Sequence, residues 1–98
     1  MQEDISIIIR RAKRSRTSEF ECTNSFLEII PPTLFDLTWL VSLNLSKNGI
    51  SAVDSKIKNL VNLRELDLSE NQITTIPGEF QELKSLAFLN LSDNPLIG

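Results

Sequence analysis

The pattern Leu-x-x-Leu-x-Leu-x-x-Asn occurs three times in 98 residues, starting at Leu40, Leu63 and Leu86, an interval of 23. Each copy closes its leucine core on Leu45, Leu68 or Leu91, and its asparagine follows at Asn48, Asn71 or Asn94. An apolar residue comes two positions later, at Ile50, Ile73 and Leu96. One period upstream, Thr17, Phe20, Cys22, Ser25 and Leu27 hold the same places, a degenerate first copy. The second half of the period also recurs: Ile30, Pro31, Leu34 and Leu37, then Val53, Asp54, Ile57 and Leu60, then Ile76, Pro77, Phe80 and Leu83. A unit this short cannot bury its own apolar edges, so successive copies must stack and share one continuous core.

The spacing dictates the local structure of each copy. Alternation in Leu-x-Leu is that of a short strand with its leucines inward, so Leu43 and Leu45, Leu66 and Leu68, and Leu89 and Leu91 are the expected core pairs. Stacked copies place these strands side by side in a parallel sheet on the inner face of an arc. The asparagines suit the turn that follows, where the amide can satisfy backbone groups of neighbouring turns, and Asn48, Asn71 and Asn94 are expected to form a ladder. Ser25 supplies a shorter first rung. Leu27 and Ile30, Ile50 and Val53, and Ile73 and Ile76 are expected to close the core beyond the turn. Pro31 and Pro77 suit the start of a short helical turn on the outer side. Asp54 stands in their place in the next copy and can cap instead.

These in-register copies resemble the 23-residue leucine-rich repeat of intracellular Ras-group-related proteins, the type carried by Ras suppressor, Scribble-like scaffolds and plant intracellular Ras-group proteins. The resemblance covers residues 17–98. It implies an α/β solenoid: a right-handed arc with a parallel concave sheet and short helical or 3-10 turns on the convex side. It specifies a fold and not a ligand.

Both ends of such a stack need lids. Ile5, Ile8, Ile9 and Ala12 recur at the spacing of one helix face, so residues 3–14 are expected to form an amphipathic capping helix over Phe20 and Cys22. Glu3 and Asp4 suit its start and the arginines its end. The expected organisation is therefore a cap at 1–16 and repeats at 17–39, 40–62, 63–85 and an incomplete 86–98. The last repeat has no lid in the sequence, and Leu89, Leu91 and Leu96 are expected to face water there. Further repeats or self-association of this open edge would cover them.

The strand register also lists the residues on the concave face, the usual binding surface of a solenoid. Glu19, Ser42, Glu65 and Phe88 form a first column. Glu21, Asn44, Asp67 and Asn90 form a second, and Thr23, Ser46, Ser69 and Ser92 a third. Asn24, Lys47, Glu70 and Asp93 stand at the strand exits. Six carboxylates here against Lys47 favour a protein partner with a basic surface, and the serine column is expected to be structural. Phe88 could anchor a partner or pack on a following repeat. Trp39, just before Leu40, is either an edge contact or a side chain packed over the capping side.

Composition narrows the function. With no histidine and one cysteine, Cys22, the chain has no Ser–His or Cys–His pair, no His/Cys zinc cluster and no internal disulfide. Its three glycines are scattered, which excludes a phosphate-binding glycine loop. No cofactor is expected. Glu65 and Asp67 are neighbours, but an open strand face gives them no pocket in which to act as acid and base. A net charge of −3 argues against nucleic acid as partner. No stretch is long and apolar enough for a membrane span. The expectation is a non-enzymatic protein-binding module, an intracellular scaffold or signalling adaptor, with a small GTPase as a partner suggested by the resemblance alone. The alternative is the N-terminal segment of a larger enzyme, a Roco-type kinase/GTPase or a ubiquitin ligase, in which the repeats select substrates or regulate. Cytoplasmic location is the default. The basic run at 10–16 (Arg10, Arg11, Lys13, Arg14, Arg16) also fits nuclear import, against a plain reading as the solvated face of the cap.

Overall fold

A computed structural model describes residues 4–97, so Glu3 and Gly98 lie outside the described residues. The described residues open with α1 (Ile5–Ser15) and continue as four strands, β1 (Glu19–Glu21), β2 (Ser42–Asn44), β3 (Glu65–Asp67) and β4 (Phe88–Asn90). Between them lie three 3-10 turns, η1 (Pro32–Asp36), η2 (Ser55–Asn59) and η3 (Gly78–Glu82). All strand pairs are parallel, and the sheet order follows the chain. Phe20, Leu43, Leu66 and Leu89 are in register, as the 23-residue period requires.

The core is the stack of leucine pairs and the apolar residues of the outer turns. Leu43, Leu45, Leu66 and Leu68 are buried, as are Ile50, Ile57, Leu60, Leu63 and Ile73. Backbone ladders repeat with the same period. The amides of Val41, Arg64 and Ala87 each donate at 2.8 Å to the Ser18, Val41 and Arg64 carbonyls of the repeat before. Beyond the strands, Leu45 and Leu68 donate forward at 2.9 Å to the Asp67 and Asn90 carbonyls. Leu91 holds the same place after β4, which is an outer strand of the described sheet.

Each outer turn starts in its own way. Pro31 and Pro77 sit one position earlier than expected, at the N-caps of η1 and η3, and Pro32 takes the first position of η1. Pro32 has no N–H to leave unpaired there. In η2 the cap is Asp54, whose carboxylate accepts from the Lys56 N–H at 2.8 Å. That is the substitution expected where proline is missing.

Helix α1 begins two residues later than expected because Asp4 caps it. The Asp4 Oδ1 accepts from the Ser6 N–H at 2.8 Å and from the Ser6 hydroxyl at 2.9 Å. Arg16, in the left-handed conformation with φ 54°, ends the helix. Ile9 and Ala12 are buried, and Ile5 and Ile8 pack on the core. Ile8 and Ala12 share a hollow with Phe20, which places one edge of the helix beside the first strand. It also packs on η1, a contact the sequence reading did not include.

Two regions depart from the regular pattern. At the far end Leu89 and Leu96 are exposed, as expected of an open edge, whereas Leu91 is only half-exposed. Ile76, expected in the core, is 40 % exposed because no further outer turn packs beside it among the described residues. In the first repeat Phe26 has φ 59° and is 88 % exposed. A bulky residue in that backbone region is unusual, and nothing in the structure explains it.

Candidate functional site

The concave columns are real neighbours. Glu19, Ser42, Glu65 and Phe88 are successive partners in register, and so are Glu21, Asn44, Asp67 and Asn90. Adjacent strands lie roughly 4.8 Å apart, so these side chains form two rows across a narrow sheet. Glu19, Glu21, Glu65 and Phe88 are exposed, while Ser42, Asn44, Asp67 and Asn90 are half-buried. Ser42, Asn44, Glu65, Asp67 and Phe88 border a shallow depression of about 270 Å³. Phe88 therefore forms one wall of a depression whose other sides are polar or acidic apart from Leu43, which also borders it.

The second column has a structural task that the sequence reading missed. The Asp67 Oδ1 accepts from the Ser69 N–H at 3.0 Å and from the Ser69 hydroxyl at 2.7 Å. Asn90 does the same for Ser92, at 3.0 and 2.8 Å, and Asn44 accepts from the Ser46 N–H at 3.0 Å. These side-chain turns fix the chain as it leaves each strand. The signal was present in the sequence as Asn44-Leu-Ser46, Asp67-Leu-Ser69 and Asn90-Leu-Ser92. Glu21 and Thr23 break it in the first copy. The serines serve this turn, and Ser46 and Ser69 are themselves buried. Asp67 thus presents a carboxylate held in one orientation rather than a free one.

The exit column is defined by the backbone. Asn24, Lys47, Glu70 and Asp93 all have positive φ, 53°, 59°, 54° and 59°. Residues other than glycine rarely adopt this conformation. Here it swings the chain from the strand into the turn and leaves each side chain exposed. Lys47, Glu70 and Asp93 consequently line the rim of the sheet.

The asparagine ladder stands behind this surface. Asn71 donates to the carbonyls of Leu45, Leu68 and Ser69 at 3.1, 3.0 and 3.1 Å and accepts from the Ile50 N–H at 3.1 Å. Asn48 and Asn94 repeat the arrangement. The Asn48 Oδ1 accepts from both Ser25 N–H and Leu27 N–H. The Ser25 hydroxyl donates to the Thr23 carbonyl instead of reaching across a repeat.

Trp39 is half-buried. The Arg16 guanidinium lies 4.5 Å from its ring centroid, a cation–π contact that ties the end of α1 to the loop before β2. Its indole N–H is buried without a hydrogen-bond partner. Cys22 is a buried thiol, with Sγ 3.2 Å from the Ser25 hydroxyl.

Among the described residues, no group of three or more His, Cys, Asp and Glu side chains is placed to hold a metal ion, and no helix is long and apolar enough to cross a membrane. The site offers an open acidic strip with one aromatic wall.

The family model for leucine-rich repeats matches residues 38–96, and the chain belongs to that family. A solved leucine-rich-repeat protein of Leptospira interrogans is similar to it, with a TM-score of 0.83 and 31 % identity over 91 % of this chain. The chain spans 23 % of that protein's length. No curated protein matches it. The repeat fold is commonly a protein-protein interaction module, and its members are typically non-enzymatic.

Proposed function

We propose that the concave face binds a protein partner through arginine or lysine side chains, in the manner of an intracellular scaffold or signalling adaptor. The observation that carries this reading is the composition of the strand columns. They hold Glu19, Glu21, Glu65, Asp67, Glu70 and Asp93, with Lys47 their lone cation. A surface of one sign on a rigid sheet steers and selects an oppositely charged partner. Phe88 supplies an apolar contact within reach of Glu65 and Asp67, the type of residue that dominates interface energetics. Ser42 and Asn44 complete the polar lining, Asn90 extends the second column past Asp67, and Trp39, with Arg16 over its ring, would be an edge contact at the capping end.

The 23-residue period supports assignment to the Ras-group-related repeat type, which makes a small GTPase the first partner to test and the cytoplasm the expected location. The basic run at 10–16 supports nuclear entry as a further expectation. Exposed Leu89 and Leu96 mark the edge through which self-association would occur. A second reading places these repeats in a larger multidomain enzyme, a Roco-type kinase/GTPase or a ubiquitin ligase. The Leptospira protein bears on it only in being longer, since this chain spans 23 % of its length.

Affinity capture with the chain and with a Glu65→Lys/Glu70→Lys variant, read by mass spectrometry, tests the module reading. Partners retained by the first and lost by the second are expected to carry basic surfaces. Identical partner sets would refute a concave acidic site.

A further inference from the structure

We propose that the outward face of α1 is a second docking surface, which takes an acidic protein segment bearing an apolar side chain among its carboxylates. It is independent of the concave face. Ile7, Arg10, Arg11 and Arg14 fall at i, i+3, i+4 and i+7 of the helix, which places them on one side. They border one shallow hollow of about 250 Å³. The opposite stripe of the helix is spent on the core, where Ile9 and Ala12 are buried. Ile7 is 45 % exposed, an apolar centre within a guanidinium cluster. Arg11 already has a partner within the chain, so the surface rests on Arg10, Arg14 and Ile7; Lys13 borders a separate hollow with Arg10 and with Asp36 of η1, and Arg16 lies over the Trp39 ring.

The chemistry of this surface selects a carboxylate ligand. Guanidinium forks match carboxylates in a two-pronged geometry. Residues four apart on a helix are roughly 6 Å apart. Carboxylates at alternate positions of an extended segment are about 7 Å apart, so Glu-x-Glu spans Arg10 and Arg14. The helix's own described carboxylate, Asp4, is committed to the Ser6 N–H and hydroxyl in the first turn.

Two other anionic partners fit less well. A membrane surface takes up a helix through a whole apolar face, and here that face is already buried against the repeats. A nucleic-acid backbone offers no apolar group to Ile7, the exposed centre of the guanidinium cluster. The helix also has no aromatic side chain on which a base could stack.

The test is fluorescence anisotropy of a labelled peptide with Glu at alternate positions and one central leucine, titrated with the chain. Vesicles containing phosphatidylserine and a single-stranded oligonucleotide run as parallel arms, and sedimentation of the chain alone reads self-association. The peptide is expected to bind with an affinity that falls as salt rises. Arg10→Glu/Arg14→Glu should weaken it about tenfold or more, as expected for reversing two exposed charges, and Ile7→Ser should weaken it measurably. Circular dichroism checks that the helix persists, and Arg10→Gln/Arg14→Gln serves if the reversed variant does not fold. Glu65→Lys/Asp67→Lys should leave peptide binding intact, which separates this surface from the concave one. The proposal is overturned by absent peptide binding, by binding insensitive to the arginine variants, or by stronger binding of vesicles or oligonucleotide. Salt-sensitive self-association abolished by those variants would overturn it too, by assigning the face to a second copy.

Discussion

The Asn71 side-chain amide donates to the Leu45 carbonyl at 3.1 Å, across the boundary between two repeats. Its oxygen accepts from the Ile50 N–H of the same preceding repeat, so one side chain completes the hydrogen bonding of a buried turn. Asn71 is 2 % exposed, whereas Asn94, its counterpart one repeat later, is half-exposed. Removing Asn71 leaves several buried backbone groups unmatched, each costing about 1–3 kcal/mol. Asn71→Ala is therefore expected to lose about 3 kcal/mol of stability in urea unfolding. Asn94→Ala should lose about 1 kcal/mol, since water can reach the groups it leaves. Equal losses at the two positions would contradict a ladder buried at its centre and open at its end.

The same gradient applies to the leucines. Leu66→Ala and Leu68→Ala are each expected to cost about 2–5 kcal/mol, as truncations of fully buried side chains. Leu89 is in register with Leu66 but 39 % exposed, so its truncation should cost under about 1 kcal/mol. Chemical denaturation of the three variants checks this. A cost under about 0.5 kcal/mol at Leu66 or Leu68 would break the inward register.

How far the sequence could be read follows from what each feature depends on. Leu43, Leu66 and the columns beside them were legible because a fixed period and a two-residue alternation leave a single register. The cap was legible because Ile5, Ile8, Ile9 and Ala12 share one helix face. Its start at Asp4 depended on a specific hydrogen bond to Ser6, which spacing alone does not place. The pairing of Asp67 with Ser69 is signalled by a repeated Asn/Asp-Leu-Ser triplet, but alternation alone places the polar residue on the solvent face and says nothing of a bond along the chain. Phe26 was not legible at all, since no sequence pattern marks its left-handed backbone. Burial of Ile76 depended on a neighbouring turn, which periodicity within the chain cannot guarantee.

The exit column predicts an effect of backbone conformation. Glu70 has φ 54° and is exposed, so its side chain contributes little packing while its backbone is strained. Glu70→Asn should be neutral or stabilising, because asparagine tolerates this conformation. Glu70→Val should lose about 1–2 kcal/mol. Thermal unfolding of both variants reads the difference, and a valine variant as stable as the parent would contradict the strained conformation.

Acidity should act on the cap through Asp4. The Ser6 N–H, and then the Ser6 hydroxyl, hold the Asp4 carboxyl below its ordinary pKa of 3.8. A depressed folded-state pKa means the contribution is fully present above the ordinary value. It is lost as pH falls through the folded one. Helix content measured by circular dichroism should therefore drop in strong acid. Asp4→Asn keeps a capping oxygen without its charge, and should remove this part of the pH dependence. A helix signal with the same acid dependence in Asp4→Asn would assign the loss to another group.

The central claim is that a leucine-rich-repeat sheet presents an acidic face to a basic protein partner. Amide NMR shifts, followed as an arginine-bearing peptide is titrated into the labelled chain, test it most directly. The largest shifts are expected at Ser42, Asn44, Glu65, Asp67 and Phe88, reduced by Glu65→Lys/Glu70→Lys. Shifts confined to the outer turns η1–η3, or unchanged in that variant, would contradict it.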